Sequence, residues 1–184
     1  MKIKLREKSY EEVLAIQADR HRVPVRQLGI FRFLLCMLSV PDLWATHFTH
    51  HEIGMERLGK QEPALFLMNH SSFIDLKIAA ALLRKRPFHI VCTSDGFVGK
   101  AWLMRLIGCI PTRKFVTDTG LVRDMMHALK KVKSSVLMFP EASYSFDGTA
   151  TPLPESMGKC LKLLGGSGGD DPHIRRVCAG SLVQ

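Results

Sequence analysis

The sequence predicts an α/β fold in which strands alternate with helices around a largely parallel sheet. Two observations lead there. Short apolar runs at Ala64–Met68, Phe88–Cys92 and Val136–Phe139 have strand length and end in turn residues. Between them lie stretches with helical spacing, from Phe73 to Leu83 and from about Thr119 to Val132. Length and composition agree: 184 residues suit one domain with a substantial core, and 46% hydrophobic content argues against disorder.

In chain order, Ser9-Tyr10-Glu11-Glu12 has the form of a capping box and opens a helix to about Arg20. Val23-Pro24-Val25 breaks it. An apolar helix then starts near Leu28 and is expected to stop near Pro41, which cannot donate a helical hydrogen bond. His51–Leu58 reads as a first strand. The strand at Ala64–Met68 and the helix from Phe73 follow, then the strand at Phe88–Cys92 and a short helix over Val98–Leu106. A strand leads into Arg113, a helix runs from Thr119, and another strand leads to Glu141. Met157–Leu164 is a last short helix. Beyond it, Gly165-Gly166-Ser167-Gly168-Gly169-Asp170-Asp171-Pro172 is linker chemistry, and the remaining twelve residues carry no clear periodicity, so no strand is expected there. The organisation is thus an N-terminal helical segment over residues 1–48, a main domain over 49–165, and a Gly-rich linker with an atypical tail over 166–184. There is no internal repeat.

A net charge of +9 and a pI near 9.6 imply an anionic partner surface, either phospholipid headgroups or nucleic acid. No nucleic-acid-binding module is recognisable and the aromatics are not interleaved with the basic residues, so nucleic acid is not expected. A simple solvated basic surface is the plain alternative. Five cysteines, an odd number without CxxC spacing, fit reduced thiols in a cytosolic setting better than disulfides. The charged first 25 residues lack the apolar core of a signal peptide. Leu28–Phe48 is the most hydrophobic stretch, but Arg32, Pro41 and Asp42 interrupt it, leaving apolar runs well short of the roughly 18 residues of a span. It reads as an interfacial helix, with Phe31, Phe33, Leu34, Leu35, Met37, Leu38 and Trp44 at the headgroup boundary and flanking Lys2, Lys4, Arg6, Lys8, Arg20, Arg22, Arg26 and Arg32 drawn to acidic lipid. Packing of this helix on the domain stays open as the alternative.

Chemistry concentrates at Asn69-His70-Ser71-Ser72-Phe73-Ile74-Asp75, on a strand-to-helix turn where open α/β sheets place their active sites. An imidazole backed by a carboxylate is the usual general base near neutral pH. Alone this pair also fits a capping arrangement, with Ser72 as cap and Asp75 in the first turn. A second block, Phe139-Pro140-Glu141-Ala142-Ser143-Tyr144-Ser145, again places a carboxylate and hydroxyls just after an apolar strand.

Together these blocks resemble the glycerolipid acyltransferase family, which includes the 1-acyl-glycerol-3-phosphate (lysophosphatidate) acyltransferases. His70 and Asp75 match the family's histidine and aspartate separated by four residues. Phe139, Pro140, Glu141 and Ser145 match its Phe-Pro-Glu-Gly-Thr-Arg-Ser block, whereas Ala142, Ser143 and Tyr144 replace the glycine, threonine and arginine. Ile107-Gly108-Cys109-Ile110-Pro111-Thr112-Arg113 resembles the middle block, in which an arginine follows a glycine and an apolar pair. The resemblance runs from about Glu62 to Gly165 and implies a layered sheet flanked by helices.

It also implies roles. His70 acts as base on an acceptor hydroxyl with Asp75 holding its tautomer, Arg113 takes the acceptor phosphate, and Asn69, Glu141 and Ser143 complete substrate binding. The donor is acyl-CoA or acyl-carrier protein, the acceptor a lysophospholipid, most simply 1-acyl-glycerol-3-phosphate, and no metal or cofactor is required. The chain would work in phospholipid biosynthesis as a peripheral protein on the cytoplasmic face of a membrane. Tyr144 removes a guanidinium from the acceptor site, which leaves open an acyltransferase for a lipid alcohol without phosphate. The family's further C-terminal apolar strand has no counterpart in the tail by this reading, which keeps a second possibility, a catalytically inactive membrane- or nucleic-acid-binding basic protein.

Two patterns carry no chemistry. Gly165–Gly169 matches the hydrolase nucleophile elbow but follows a helix rather than a strand. His47 and His51 stand one helical turn apart without the further ligands a zinc site needs.

Overall fold

In the computed structural model the described residues are 11–12, 23–51, 58–59, 62–70, 74–93, 101–112, 119–141, 155–166 and 175–179. They form, in order, α1 (Gly29–Ala45), β1 (Ala64–Met68), α2 (Ile74–Leu82), β2 (Phe88–Thr93), α3 (Ala101–Ile107), β3 (Cys109–Thr112), α4 (Thr119–Lys130), β4 (Ser135–Met138), α5 (Glu155–Gly166) and β5 (Arg175–Ala179). The strands make one sheet in the order β3-β2-β4-β1-β5, and every described pairing is parallel.

Alternation along the strands divides the core into two layers. Ala64, Phe66 and Met68 of β1, Phe88 and Ile90 of β2 and Leu137 of β4 face one side, where Leu43 of α1 and Ile78 and Ala79 of α2 cover them. Leu65, Val136 and Met138 face the other, under Met125, Ala128 and Leu129 of α4 and Met157 and Leu164 of α5. The result is helices, sheet, helices. Each central strand is buried on both faces, which explains why these runs are continuously apolar rather than alternating.

Gly108 joins α3 to β3 with φ +92°, and a Cβ there would stand 3.0 Å from the carbonyl oxygen of Phe88, so the turn requires glycine. Side chains lash the flanking segments to this frame. Gln27 Nε2 donates to the Ile107 carbonyl (2.7 Å), Arg32 Nε to the Arg84 carbonyl (2.9 Å), and the Arg86 guanidinium to the carbonyls of Leu58 and Glu62 (3.0 and 3.2 Å).

Two expectations are corrected. The apolar helix does not stop near Pro41; it passes through it to Ala45. The missing donor is tolerated because the next turn is held from outside the helix ladder: Leu43 is buried in the core and Asp42 pairs with Lys77 of α2. Thr46 closes the end, its hydroxyl donating to the Asp42 carbonyl (3.0 Å). The tail is also not without structure, since Arg175–Ala179 is a strand paired in parallel along the whole of β1, with Leu65 opposite Arg176 and Met68 opposite Ala179. Main-chain pairing against a central strand needs no apolar periodicity, and so left no pattern to read. Glu11 and Glu12 are helical, but the remainder of the first expected helix lies outside the described residues, as does nearly all of the strand expected over His51–Leu58.

Among the described residues no helix is long and apolar enough to cross a membrane. The outer face of α1 is nonetheless strongly apolar: Ile30, Phe33, Leu34, Met37, Leu38, Val40 and Trp44 are exposed at helical spacing, Leu38 at 74% and Trp44 at 81%. Exposed Trp102 stands on α3. Cys36, Cys92, Cys109 and Cys160 are free thiols.

His89 of β2 is buried between the Ser134 hydroxyl and the Val25 carbonyl, both at 2.9 Å from a ring nitrogen. A neutral ring satisfies both partners: Nε2–H donates to Val25 while Nδ1 accepts from Ser134. Burial is the main reason its protonation is pushed below the ordinary 6.5, helped by nearby His127, while the bond to Val25 opposes it. In the unfolded chain the ring takes up a proton near 6.5, so the unfolded state binds more protons than the folded one below that pH. Stability conferred by His89 is therefore complete above about pH 6.5 and lost as pH falls. Denaturant midpoints from pH 7.5 down to 5.0 should decline, and the decline should be shallower in His89→Gln. Equal slopes in the two proteins would contradict this.

Candidate active site

The sheet order creates one position unlike the others. From β1 the chain crosses by α2 over β4 to reach β2, whereas from β4 it crosses by α5 over β1 to reach β5. Right-handed crossovers in opposite directions must lie on opposite faces, as the two core layers record. The carboxyl ends of β1 and β4 are neighbours, with Leu67 opposite Met138, and their chains part there. Such a switch point leaves a crevice in which α/β proteins bind ligands.

Both sequence blocks open at that crevice. Asn69 and His70 follow β1 directly, and Phe139, Pro140 and Glu141 follow β4. Asp75 sits in the first turn of α2, fully buried, near the positive end of the helix dipole. Its Oδ2 lies 3.0 Å from Nδ1 of His70. A carboxylate can only accept, so Nδ1–H donates and Nε2 keeps its lone pair. The His70 side chain is 22% exposed, against none for Asp75, so the pair is anchored at one end and open at the other.

The His70 ring also stacks on Phe139, with centroids 4.1 Å apart and planes 22° from parallel. The sequence reading missed this contact and used Phe139 only as part of a block. The available signal was the pairing of the two strands, since carrying the register of Leu67 and Met138 one step onward places Met68 beside Phe139. Glu141 is half-buried in the same turn, with one carboxylate oxygen out of contact with solvent. Asn69 is half-exposed beside His70.

The structure therefore brings together His70, Asp75 and the strand end that carries Glu141. Thr112, the last residue of β3, ends at the same edge of the sheet, but Arg113 after it lies outside the described residues, as do Ser72, Ser143 and Tyr144. Among the described residues no group of three His, Cys, Asp or Glu side chains is gathered as for a metal ion. His50 instead stacks on Phe48. The arrangement offers a partly exposed imidazole, hydrogen-bonded through Nδ1 to a buried carboxylate, whose Nε2 can accept a proton.

A sequence model of the Acyltransferase family matches residues 50–166, which spans the sheet's first four strands and both blocks. The chain belongs to this family, of the glycerolipid acyltransferase kind. It is 28% identical over 119 residues to the chloroplastic 1-acyl-sn-glycerol-3-phosphate acyltransferase LPAT1 of Arabidopsis thaliana, a match covering 59% of this chain and 33% of that protein. The chain thus spans about a third of the length of the curated relative it matches. No solved structure matches it.

The hydrogen bond to Asp75 dictates the tautomer of neutral His70: the proton resides on Nδ1. Long-range ¹⁵N–¹H spectra distinguish the two ring nitrogens and should place it there, with the preference weakened in Asp75→Asn. A proton found on Nε2 in the unaltered protein would contradict the geometry.

Proposed function

We propose that the chain is an O-acyltransferase that moves a fatty acyl group from an acyl-CoA or acyl-carrier-protein thioester to the hydroxyl of a lysophospholipid, most simply 1-acyl-glycerol-3-phosphate. The observation that carries this reading is the 3.0 Å bond between His70 and buried Asp75 at the β1–β4 switch point. His70 Nε2 takes the proton of the acceptor hydroxyl as its oxygen attacks the thioester carbonyl. Asp75 stabilises the imidazolium that forms. The tetrahedral adduct then expels the thiolate, which recovers the proton from His70, so that an ester and a free thiol leave. Transfer is direct, with no acyl-enzyme intermediate. Arg113 pairs with the acceptor phosphate, and Asn69, Glu141 and Ser143 bind around it, as the family resemblance implies. Tyr144, in place of the family's arginine, favours acceptors that ask for less positive charge.

The protein would act peripherally, at the cytoplasmic face of a membrane. Supporting this is the outer face of α1, where seven large apolar side chains meet solvent. Fully burying such a side chain contributes about 1.5–3 kcal/mol, so covering the face contributes on the order of 10 kcal/mol, as much as the net stability of a domain. Basic residues flank this stretch, and the helix packs on α2, which bears Asp75. An acceptor lipid held at the surface would then lie near the cleft.

The test of the chemistry is His70→Ala, assayed with labelled palmitoyl-CoA and 1-oleoyl-glycerol-3-phosphate. Losing the base should cost about 10²–10⁴ in turnover while the protein stays folded. Near-native turnover would overturn the mechanism.

Membrane association should be partly electrostatic, each basic residue near an acidic surface contributing about 1 kcal/mol, screened over about 8 Å at physiological salt. In flotation with liposomes, acidic vesicles should bind more protein than neutral ones, and added salt should narrow the difference. Equal binding to both at every salt concentration would remove the electrostatic contribution.

A further inference from the structure

We propose that the outer face of α5, with the exposed cations of α4 beside it, docks an acidic carrier protein that bears the acyl thioester. The inference rests on the acyl-transfer reading and deepens it, since it selects the carrier-protein form of the donor. The charge on this layer is one-sided. Arg123 of α4, Lys131 and Lys133 in the turn to β4, and Lys159 and Lys162 of α5 are all exposed. The two helices carry two acids in return: Asp124, which is buried, and Glu155, the first residue of α5. Exposed charge of one sign draws partners of the other sign and turns away its like.

The surface is also shaped for a protein. Gly158, Lys159, Lys162 and Leu163 are exposed along two turns of α5, where residues three and four apart are neighbours. Leu163 is 57% exposed, an apolar centre beside two cations. At Gly158 an added Cβ would meet nothing within 4 Å, so packing inside the protein does not call for glycine there. Glycine weakens a helix, and what it offers in exchange is close approach of another chain. An apolar centre, a charged rim and room for close approach are the parts of a protein interface.

Its place in the fold fits a soluble partner. The α1–α2 layer covers one face of the sheet and the α4–α5 layer the other. With the apolar face of α1 on lipid, the layer across the sheet is turned to water, where a carrier reaches it. Helices that connect parallel strands run back against them, so α4 and α5 both begin towards the carboxyl edge of the sheet, where His70 lies. A carrier seated on α5 passes its tethered thioester over the start of the helix to the cleft. Free acyl-CoA brings the same thioester without a protein surface.

The test compares two donors, palmitoyl-acyl-carrier protein and palmitoyl-CoA, with 1-oleoyl-glycerol-3-phosphate as acceptor. Electrostatic steering raises encounter rates by about 10- to 10³-fold, so the double variant Lys159→Glu, Lys162→Glu should lower kcat/KM for the carrier donor by about 10-fold or more. Turnover of palmitoyl-CoA should stay near that of the unaltered protein, which also reports that the variant is folded. Gly158→Leu adds bulk in open space and favours the helix, and it should show the same selective loss. Binding of the carrier, followed by its NMR signals, should weaken in both variants. It should persist in Lys159→Arg, Lys162→Arg and in His70→Ala. Flotation on acidic vesicles should not change. An unchanged kcat/KM for the carrier, or an equal loss with both donors in a folded variant, would overturn the proposal. So would a loss of vesicle binding in place of carrier binding, which would make the strip a lipid surface. Carrier bound through these lysines with neither donor turned over would defeat the acyl-transfer reading and leave the docking face standing. Turnover of palmitoyl-CoA without any carrier binding would defeat only the docking face.

Discussion

β1 and β4 lie side by side in the sheet, with Leu65, Phe66 and Leu67 opposite Val136, Leu137 and Met138, and this pairing is the constraint on which the site depends. Sequence separates the two strands by about the length of the whole β2–β3 excursion, and only the closed sheet brings them together. Once they are paired, the right-handed crossovers send α2 and α5 to opposite faces, so that the two chains part at the carboxyl ends of both strands. His70 and Phe139 then meet as a consequence of register. A slip of one residue would turn Leu137 and Met138 to the wrong core layers and carry Phe139 away from the imidazole.

The layer formed by α1 and α2 adds the second condition. Asp75 is fully buried in the first turn of α2, where water competes little for its bond to His70. The α1 helix is tied to that layer by Leu43 in the core, by the Asp42–Lys77 ion pair and by Arg32 on the Arg84 carbonyl. Upstream, Gln27 and Val25 are bound to Ile107 and His89. Apart from the packing of Leu43 these are directional polar contacts, most of them involving main-chain carbonyls, and they hold the helix by its inner side. They leave its outer face free to present Phe33, Leu38 and Trp44.

Much of this was legible in the residues, for identifiable reasons. Strand runs such as Ala64–Met68 are buried on both faces and so read as continuous apolar segments with clear ends. The bond between His70 and Asp75 is local, spanning one turn, and its spacing survives in sequence. What escaped was whatever depends on partners far along the chain. The stack on Phe139 joins residues brought together by strand pairing, and β5 is a short strand whose main-chain bonds to β1 leave no side-chain pattern. Pro41 misled because a local rule for ending helices was overridden by burial of Leu43 beyond it. The apolar spacing of Phe33, Leu34, Met37 and Leu38 was plain, but which way that face pointed was decided by tertiary packing.

The central claim is that His70 and Asp75 work as one unit in acyl transfer, and a cycle of variants tests it most directly. Turnover of labelled palmitoyl-CoA with 1-oleoyl-glycerol-3-phosphate would be measured for His70→Ala, Asp75→Asn and the double variant. Groups that act as a unit are strongly non-additive, because removing the second costs little once the first is gone. A carboxylate whose work is to orient and stabilise the imidazole therefore predicts a double variant no slower than His70→Ala alone. Losses that multiply in the double variant would mean that Asp75 acts on its own, as a helix cap or a binding group, and would contradict the unit.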